Sequence, residues 1–357
     1  MANPELVVVI LAGGAGTRFW PASTTKKPKQ FLSLTGERSL LQLSYDRIKD
    51  VVPPERVFVI TSKKFVATVK KHLPELPKAN IVGEPMRRDT AAAVALATLL
   101  VHERLGPSTM AVLTADHLIG PPEAFQAALM SAADRAKAGK NVYTFGIPPT
   151  SPATGYGYLE VGDQIFFERG VGHHAVHSFH EKPDLVTAER YVASRRFFWN
   201  SGMFVFHTDL MRQTMSFLLA EHVAALTPVV KAKKLSATAL EKAFEPLPMI
   251  SIDKAVMEKL ETTMCVRANF DWSDVGGFPA LAAHLTNDAK KNAMRGRLRT
   301  KDASGNVVWC EDPNEVVALV GVSNLVVVRA GKRTLVVPIE RAEEIKKLVE
   351  ALPPNEQ

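Results

Sequence analysis

Continuously apolar runs alternate with helical patterns in the N-terminal part of the chain. The runs lie at residues 7–11, 57–60, 110–113 and 142–145, and none shows the alternation of polar and apolar positions that marks a half-solvated strand. Such runs are typical of parallel strands covered on both faces of a sheet. Helices are predicted between them, at residues 39–49, 64–73, 90–105 and 122–138. The pattern predicts an α/β domain with right-handed crossovers, in which ligands bind beyond the carboxyl ends of the strands.

The pattern changes after residue 155. Residues 156–206 are rich in glycine and aromatic residues and alternate in polarity, which predicts an inserted group of strands that floors a pocket. A helical stretch is predicted from residue 209 to about 244, and the basic segment NDAKKNAMRGRLR after residue 285 is predicted to be a linker. Short valine-rich strands and a helix from Arg341 follow. We therefore expect two domains, at residues 1–285 and 286–357, the second of them small and β-rich.

Composition narrows the class of protein. A chain of 357 residues that is 46% apolar can bury a large core. Its 44 Lys and Arg residues outnumber its 37 Asp and Glu residues, which mildly favours anionic ligands, but no basic tract interleaved with aromatic residues indicates nucleic-acid binding. Cys265 and Cys310 lack metal-binding spacing. No apolar stretch could span a membrane and no signal peptide is evident, so we expect a cytoplasmic protein that binds neither membranes nor nucleic acid.

A glycine-rich loop follows the first predicted strand. Gly13, Gly14 and Gly16 leave backbone amides accessible to a phosphate, Arg18 adds a bidentate donor, and Lys29 with two neighbouring lysines adds point charges. The loop has neither the lysine of a Walker motif nor the third glycine of a dinucleotide fingerprint. A tight turn would explain the glycines but would leave the basic side chains without a role. The stretch therefore predicts a polyphosphate site.

A single carboxylate, Asp116, follows the apolar run at residues 110–113. A carboxylate at the end of a buried strand is costly without a partner. Mg²⁺ is one such partner, because it takes one or two carboxylates together with substrate phosphates. The alternative is that Asp116 is the N-cap of the following helix.

Two polar sites stand out in the region of inserted strands. Glu181 and Lys182 are adjacent, and because neighbouring strand residues point to opposite faces, we expect no simple ion pair between them. A solvated charge pair at a strand end is the alternative. Asn200 lies in an apolar segment, where an amide can both donate to and accept from sugar hydroxyls. A β-turn at residues 200–202 is compatible with the same residues.

The glycine loop continues as Gly14-x-Gly16-Thr17-Arg18-x-x-Pro21 and is followed by PKQF at residues 28–31. Further motifs follow in order: EP at 84–85 with RDTA at 88–91, ADH at 115–117, GYGY at 155–158, EKP at 181–183, WNSGMF at 199–204, SID at 251–253 and WSDVG at 272–276. Together, over residues 7 to about 285, these motifs resemble the sugar-phosphate nucleotidyltransferases. The PKQF ending resembles the mannose-1-phosphate guanylyltransferases among them.

This resemblance implies a fold and an assembly. The fold would be α/β, with a Rossmann-like mixed, mainly parallel sheet in the catalytic domain and a small left-handed β-helix-like domain at the C-terminus. The small domain is used in the family for packing and dimer contacts, so we expect a homodimer. Some members carry an appended isomerase domain, which we do not expect within these 357 residues.

The resemblance also implies a role for individual residues. It assigns nucleotide binding to Leu11, Ala12, Gly13, Gly14, Gly16, Thr17, Arg18, Glu84, Asp89, Thr90 and Asp116; sugar binding to Gly155, Tyr156, Gly157, Glu181, Lys182 and Asn200; catalysis to Arg18, Lys29 and Lys182; and one Mg²⁺ to Asp116 and Asp274. Asp274 has the alternative of a turn residue before the helix near Phe278. Asp89 replaces a common Asn and Ala92 a common Pro, so Asp89 either pairs with guanine N1–H and N2–H or caps its helix more strongly.

The implied reaction is GTP plus α-D-mannose 1-phosphate giving GDP-mannose and pyrophosphate. Its nucleophile is a phosphate oxygen that is already ionised, so no general base is expected. Another hexose 1-phosphate or nucleotide is the alternative within the class. A non-catalytic GDP-sugar sensor is the alternative outside it, but a sensor has no need of both Asp116 and Asp274. A nicotinamide oxidoreductase is disfavoured because the third glycine of its fingerprint is missing.

Overall fold

The computed structural model describes residues 5–14, 16–233, 235–354 and 356–357. Its strands are β1 (Val7–Ala12), β2 (Val57–Ser62), β3 (Ile81–Glu84), β4 (Thr109–Thr114), β5 (Leu118–Gly120), β6 (Val142–Ile147), β7 (Gly157–Glu168), β8 (Val171–Glu181), β9 (Phe197–His207), β10 (Thr263–Arg267), β11 (Asp271–Ser273), β12 (Thr286–Asn287), β13 (Ala293–Arg295), β14 (Arg297–Lys301), β15 (Val307–Cys310), β16 (Val316–Val320), β17 (Leu325–Ala330) and β18 (Arg333–Pro338).

The α-helices are α1 (Leu40–Asp46), α2 (Val66–His72), α3 (Asp89–Leu105), α4 (Pro122–Ala136), α5 (Leu185–Ser194), α6 (Thr208–Leu218), α7 (Ala220–Lys231), α8 (Ala237–Phe244), α9 (Ile252–Ala255), α10 (Phe278–Leu281) and α11 (Ile345–Ala351). The four parallel strands predicted from continuous apolar runs are therefore confirmed as β1, β2, β4 and β6, each slightly longer than its run. The predicted helix at 39–49 is shorter, because residues 47–50 form turns. No helix in the described ranges combines the length and apolar character needed to cross a membrane.

Contacts divide the chain into two compact units that are discontinuous in sequence. Unit 1 comprises the described residues of Met1–Gly13, Ser44–Ala115 and Ile119–Trp272, and unit 2 those of Gly14–Leu43, Asp116–Leu118 and Ser273–Gln357. The contiguous division into 1–285 and 286–357 stays a prediction about domains.

Unit 1 is built on a nine-stranded mixed sheet in the order β3-β2-β1-β4-β9-β6-β10-β8-β7. Strand β1 pairs in parallel with β2 and β4, and β6 pairs in parallel with β10, whereas β9 runs antiparallel between β4 and β6. Helix α3 is buried from Ala91 to Val101, and its alanines allow a close approach to the neighbouring elements of the core. The α/β class with a mixed sheet is confirmed.

Unit 2 contains short parallel strands of the kind expected of a β-helix. Strands β13, β15 and β17 pair in parallel with one another, and β14 pairs in parallel with β16. Their core includes Trp309, Phe278 and Phe19, and the buried Trp309 donates its indole N–H to the carbonyl of Leu34 at 3.1 Å. The buried hydrophobic surface of these short strands is therefore shared with segments from much earlier in the chain.

The prediction that NDAKKNAMRGRLR is a linker is wrong. This segment contributes the end of β12, all of β13 and part of β14 to unit 2. Buried asparagines explain how so polar a sequence is ordered: Asn292 accepts a hydrogen bond from the backbone N–H of Asn306 at 3.0 Å, and Asn306 accepts one from the N–H of Leu325 at 3.0 Å. Each asparagine side chain accepts a hydrogen bond from a backbone N–H in a later segment of the unit, so polar side chains order these turns.

Candidate active site

The glycine loop in unit 2 packs directly on the PKQF segment. Gly16 has a left-handed backbone (φ 62°, ψ 32°) and precedes a 3₁₀ turn at Thr17–Phe19. A Cβ atom on Gly16 would lie 2.3 Å from Cβ of Lys29, which is closer than any real contact. Gly16 is therefore required both for its φ angle and for the close approach of the two backbones. This approach brings the sequence-predicted Arg18 and Lys29 into one region.

Lys29 is the centre of this region. Only 6% of the residue is exposed, and its Nζ donates to Oδ2 of Asp116 at 3.1 Å and to the backbone carbonyl of Asp274. A buried ammonium group is costly unless it is paired and hydrogen-bonded, and these two acceptors meet that requirement. Lys29 thus joins the segments that carry the two aspartates predicted to hold a metal.

A cavity of about 320 Å³ opens at this point in unit 2. Its lining includes the predicted Gly16, Thr17, Arg18, Lys29, Asp116 and Asp274, together with Lys346. Gly14 is adjacent, since a Cβ atom there would lie 3.8 Å from Oδ2 of Asp116. The structure therefore places the unit 2 members of the predicted nucleotide and metal groups around one space.

The electrostatics keep Asp116 available as an anion. Burial alone would raise the pKa of Asp116, but the charges of Lys29 and His117, with the hydrogen bond from Lys29, together hold that pKa below its usual value. The alternative that Asp116 caps a helix is wrong, because α4 begins only at Pro122 and is preceded by Pro121. The turn alternative for Asp274 is observed: its Oδ1 accepts from the N–H of Gly276 at 3.1 Å. A turn contact and a metal role are compatible for a carboxylate with two oxygens.

The donor set fits a hard divalent cation. Asp116 and Asp274 line the cavity beside the basic side chains of Arg18 and Lys29, and Mg²⁺ takes one or two carboxylates when substrate phosphates complete its coordination. In the described part of the chain, no cluster of three or more His, Cys, Asp or Glu residues is placed to hold a metal by itself. A metal at this site would therefore depend on ligand oxygens as well as on Asp116 and Asp274.

Two residues near the C-terminus belong to this site although the sequence reading missed them. Glu343 accepts from Nε of Arg18 at 2.7 Å, and Lys346 lines the cavity. Both lie in the helical end of the chain, in Ile339–Glu344 and α11. In sequence they read as ordinary solvated charges of a terminal helix, so no local signal marks them.

A second group of predicted residues lies at strand and helix ends in unit 1. The carbonyl of Ala12 accepts from Thr61 Oγ1 at 2.9 Å, and that of Leu11 accepts from the N–H of Ala115 at 3.1 Å. Glu84 ends β3, and a Cβ atom on Gly13 would lie 3.9 Å from its Oε2. Burial, and then the charge of Asp89, raise the pKa of Glu84 to about 8.

Asp89 and Thr90 begin helix α3 in different ways. Asp89 has a left-handed backbone (φ 61°), and its Oδ1 accepts from the N–H of Thr90 at 2.8 Å, so it satisfies one of the first amides of the helix. Thr90 Oγ1 instead accepts from the N–H of Ile252 at 2.8 Å. Thr90 therefore holds the SID segment against the start of α3.

The raised pKa of Glu84 gives a testable pH dependence of stability. Because the folded protein holds this proton more tightly than the unfolded chain, whose carboxyl titrates near 4.5, stability falls as pH rises through about 8. We expect the free energy of unfolding of the wild type to fall relative to that of Glu84→Gln between about pH 4.5 and 8, and the difference to level off above that range. Urea unfolding of both proteins over a pH series measures this. A difference that does not vary with pH would contradict it.

The expectation that Glu181 and Lys182 form no ion pair is wrong. Lys182 Nζ lies 2.8 Å from Oε1 of Glu181. The reason is that β8 ends at Glu181 and Lys182 has a left-handed backbone (φ 50°), so the alternation of faces along a strand does not extend to it. The N–H of Lys182 also donates to the carbonyl of Tyr156 at 3.2 Å, which ties the GYGY and EKP motifs together.

Aromatic rings flank this part of unit 1. Tyr156 contacts Trp199 and Trp272 edge to face, at centroid distances of 5.0 and 5.3 Å. Gly155 is exposed and Gly157 begins β7, so the motif forms the entry to the β7–β8 hairpin. The structure brings the predicted sugar-binding residues Tyr156, Glu181 and Lys182 together.

Asn200 is held from both sides. Its Oδ1 accepts from Thr144 Oγ1 at 2.8 Å, and its Nδ2 donates to Oδ1 of Asp253 at 3.0 Å. The β-turn alternative is wrong, because residues 200–202 lie inside β9, where Gly202 (φ 69°) accompanies a shift of register against β6. Each amide atom retains capacity for one further hydrogen bond.

Asp253 and Thr144 were given no role by the sequence reading. Burial and then the charge of Glu181 raise the pKa of Asp253 to about 6. Asp253 was visible only as the last residue of the SID motif, and its contact with Asn200 depends on the packing of α9. Thr144 carries no signal at all, since it reads as one residue of an apolar strand.

Unit 1 has a mixed α/β sheet, and the cavity in unit 2 is lined by Gly16 of the glycine loop, the buried Lys29 and two carboxylates. The chain belongs to the nucleotidyl transferase family, whose pattern matches residues 7–291. Residues 300–352 match the MannoseP isomerase/GMP-like beta-helix domain. These matches confirm the family and the β-helix-like C-terminal region expected from the sequence motifs.

Similar proteins cover nearly the whole chain. The mannose-1-phosphate guanylyltransferase of Escherichia coli K12 is 36% identical over 99% of this chain and 74% of its own length. The xanthan biosynthesis protein XanB of Xanthomonas campestris is 37% identical over 97% of this chain and 73% of its own length. A crystal structure named mannose-1-phosphate geranyltransferase from Thermus thermophilus has a TM-score of 0.87 at 33% identity, covering 97% of this chain and 98% of the other.

Proposed function

We propose that this protein transfers GMP from GTP to α-D-mannose 1-phosphate, giving GDP-mannose and pyrophosphate. The observation that carries the proposal is the buried Lys29 ammonium, which joins Asp116 and the Asp274 segment in the cavity that the glycine loop also lines. Membership of the nucleotidyl transferase family and the mannose-1-phosphate guanylyltransferase from E. coli support the reaction and its substrates.

Unit 2 supplies the groups for the triphosphate in this proposal. The glycine backbone and Arg18 bind the β- and γ-phosphates, and Lys29 neutralises charge near the α-phosphate and the leaving group. Lys346, which lines the same cavity, adds a further positive charge that the family motifs do not include. Asp116 and Asp274 would hold a single Mg²⁺, which when bound supplies positive charge to phosphate oxygens.

Unit 1 supplies the groups for the sugar phosphate and the base. Glu181 accepts from sugar hydroxyls, and Lys182, which is 61% exposed at its side chain, exchanges its ion pair with Glu181 for the sugar phosphate. Asn200, fixed by Thr144 and Asp253, presents its remaining amide capacity to the sugar. Guanine offers the donors N1–H and N2–H. Their acceptors are Glu84 at the end of β3 and Asp89 at the start of α3.

The chemistry is an in-line displacement at the α-phosphorus. A phosphate oxygen of mannose 1-phosphate forms the new P–O bond, while the bond to the β-phosphate oxygen breaks and its electron pair leaves with pyrophosphate. No proton has to be removed from the nucleophile, so the protein acts by positioning and by stabilising charge. The side chains that carry this task are cationic, namely Arg18, Lys29 and Lys182.

The ion pair between Glu343 and Arg18 predicts a competition with the triphosphate. Both side chains are substantially exposed, so their pairing is weak, worth about 0–1 kcal/mol. Glu343→Gln frees Arg18, and we expect it to lower KM for GTP up to about fivefold, the equivalent of about 1 kcal/mol, with kcat unchanged. Steady-state kinetics at low ionic strength measure the effect, with the exposed Glu340→Gln as control. An equal change in both variants would show that only net charge matters.

A homodimer and a cytoplasmic location are part of the proposal. The outward-facing valines of the C-terminal strands support a dimer contact there: Val316 and Val320 on β16 and Val336 on β18 are 59%, 67% and 59% exposed. Light scattering of the purified protein measures the mass in solution. A monomer at micromolar concentration would remove the dimer.

The function is tested by pyrophosphate release with Mg²⁺ across a grid of nucleoside triphosphates and hexose 1-phosphates, including mannose, glucose and fucose forms. We expect a dominant signal for GTP with mannose 1-phosphate. A dominant signal elsewhere in the grid would retain the mechanism and reject the assigned substrates. Silence throughout, with tight binding of GDP-mannose, would reject catalysis in favour of a sensor.

A further inference from the structure

Unit 1 contains a cavity of about 480 Å³ whose residues have no part in the proposed reaction. It is lined by residues 161–164 of β7, by two residues of β8, by residues 195–196 between α5 and β9, by Phe198 of β9, and by Arg267 at the end of β10. Its charged and titratable side chains are Asp163, His174, His177, Arg195, Arg196 and Arg267. Three guanidinium groups and two imidazoles therefore share one space with a single carboxylate.

Only one of the three arginines has an ion-pair partner in the part of the chain that the structure describes. Arg196 is paired, with its Nη2 2.9 Å from Oε1 of Glu160. Arg195 and Arg267 form no ion pair with any residue in the described ranges. Arg267 instead has its guanidinium 5.9 Å from the ring centroid of Phe198, a cation–π contact that favours one side of the cavity.

The two histidines are placed by the β7–β8 hairpin. His174 Nδ1 lies 3.0 Å from the carbonyl of Gly162, while its buried Nε2 has no hydrogen-bond partner among the residues that the structure describes. A buried polar atom without a partner is unfavourable, and a ligand or a water usually meets it. Because Nδ1 faces a carbonyl, Nε2 is suited to accept from a donor such as a water or a hydroxyl group of a ligand. A Cβ atom on Gly162 would lie 2.6 Å from Nε2 of His177, so the glycine makes room for that ring.

Helix capping explains only part of the arginine cluster. Arg195 and Arg196 follow the C-terminus of α5, where cations are favoured by the helix dipole. Arg195 itself, however, has a left-handed backbone (φ 57°, ψ 14°), a position at which Gly or Asn is the more stable residue. Arg267 belongs to β10 and owes nothing to that helix. The shared feature of the three arginines is the cavity.

We propose that this cavity is a second anion site, which binds the phosphate group of a small organic phosphate that is not consumed in the reaction. Guanidinium groups bind phosphate oxygens bidentately, and two of the three here have no competing carboxylate partner among the residues that the structure describes. The volume lies in the range of about 300–1,000 Å³ that small-molecule sites occupy, which leaves room beyond a phosphate group. Val161 and Phe198 provide an apolar surface for the remainder of the ligand.

The test measures binding of ³²P-labelled orthophosphate to the full chain by equilibrium dialysis at constant ionic strength. We expect Arg267→Gln to raise the Kd of one saturable site at least tenfold. The control Arg169→Gln removes an exposed arginine that pairs with Asp134 in the same unit, and we expect it to change that Kd less than twofold. Arg18→Gln should retain the site, because Arg18 belongs to the other cavity. Loss of the site in Arg18→Gln with retention in Arg267→Gln would overturn the proposal.

A second variant separates binding from stability. Arg195→Asn keeps a residue that tolerates the left-handed backbone, so we expect an equal or higher melting temperature together with phosphate binding weakened at least fivefold. Unchanged binding in Arg195→Asn and Arg267→Gln would overturn the proposal. Glucose 6-phosphate, as a probe of an organic phosphate, should displace the bound label at a lower concentration than orthophosphate does. Displacement by orthophosphate alone would show a site for the free ion and reject the organic ligand.

Discussion

Lys29→Met is expected to lower kcat/KM for GTP by about 10²- to 10³-fold, the range seen when one preorganised electrostatic donor is removed from an active site. The substitution keeps the length of the side chain but removes the ammonium that contacts Asp116 and the carbonyl of Asp274. Asp116 then lacks its principal counter-charge, so burial is expected to raise its pKa toward the neutral form. The variant therefore loses both a cation at the phosphates and the ionised state of the neighbouring carboxylate.

The matched control is Lys27→Met, two residues earlier in the same loop. Lys27 is exposed and pairs with Glu311 at 2.8 Å, outside the residues that line the cavity. We expect this variant to change kcat/KM less than threefold, in line with the small energies of surface ion pairs. Thermal melting of both variants separates loss of catalysis from loss of folding. A folded Lys29→Met protein with near wild-type kinetics would remove Lys29 from the mechanism.

Asp274→Asn is expected to raise the Mg²⁺ concentration for half-maximal activity at least tenfold, and Asp116→Asn to lower activity about 10²-fold even at saturating Mg²⁺. The two differ because Asp116 also anchors Lys29, whereas the side chain of Asp274 contacts the backbone N–H of Gly276, a contact that the amide oxygen of Asn can keep. Substitution by Asn preserves shape in both cases. The loss therefore reports charge rather than packing.

A binding measurement complements these kinetics. Titration of Mn²⁺ into the protein with a non-hydrolysable GTP analogue should show one site that weakens in both variants. Asp271→Asn is the control, since Asp271 is an exposed aspartate three residues before Asp274 and does not line the cavity. Equal Mg²⁺ titration curves for the wild type and Asp274→Asn would remove Asp274 from the metal site.

Much of the fold could be predicted because its signals are local. The short continuous apolar runs at β1, β2, β4 and β6 are typical of strands covered on both faces, and the glycines after β1 indicate a tight turn. Gly16 has a left-handed backbone, and a Cβ atom there would clash with Lys29, which gives a physical reason for glycine at this position of the motif. The order of the motifs along the chain then predicted the family, which the family match confirms.

The parts that could not be predicted depend on tertiary contacts. The Glu181–Lys182 ion pair arises from a left-handed residue at the end of a strand, which the alternation rule does not anticipate. The NDAKKNAMRGRLR segment is ordered by buried asparagines that bond to later coils. Glu343 meets Arg18 across more than 300 residues of sequence, and Asp253 meets Asn200 only when α9 is packed. The first case depends on a local backbone conformation, and in the others the deciding partner lies further along the chain.

The most direct test of the proposed reaction follows the fate of each phosphate of GTP. The protein is incubated with mannose 1-phosphate, Mg²⁺ and GTP labelled with ³²P at either the α or the γ position, and the products are separated. We expect the α label to appear in GDP-mannose and the γ label in pyrophosphate, in equal amounts and only when the sugar phosphate is present. Absence of sugar-dependent transfer of the α label, in a folded protein that binds GDP-mannose, would contradict it.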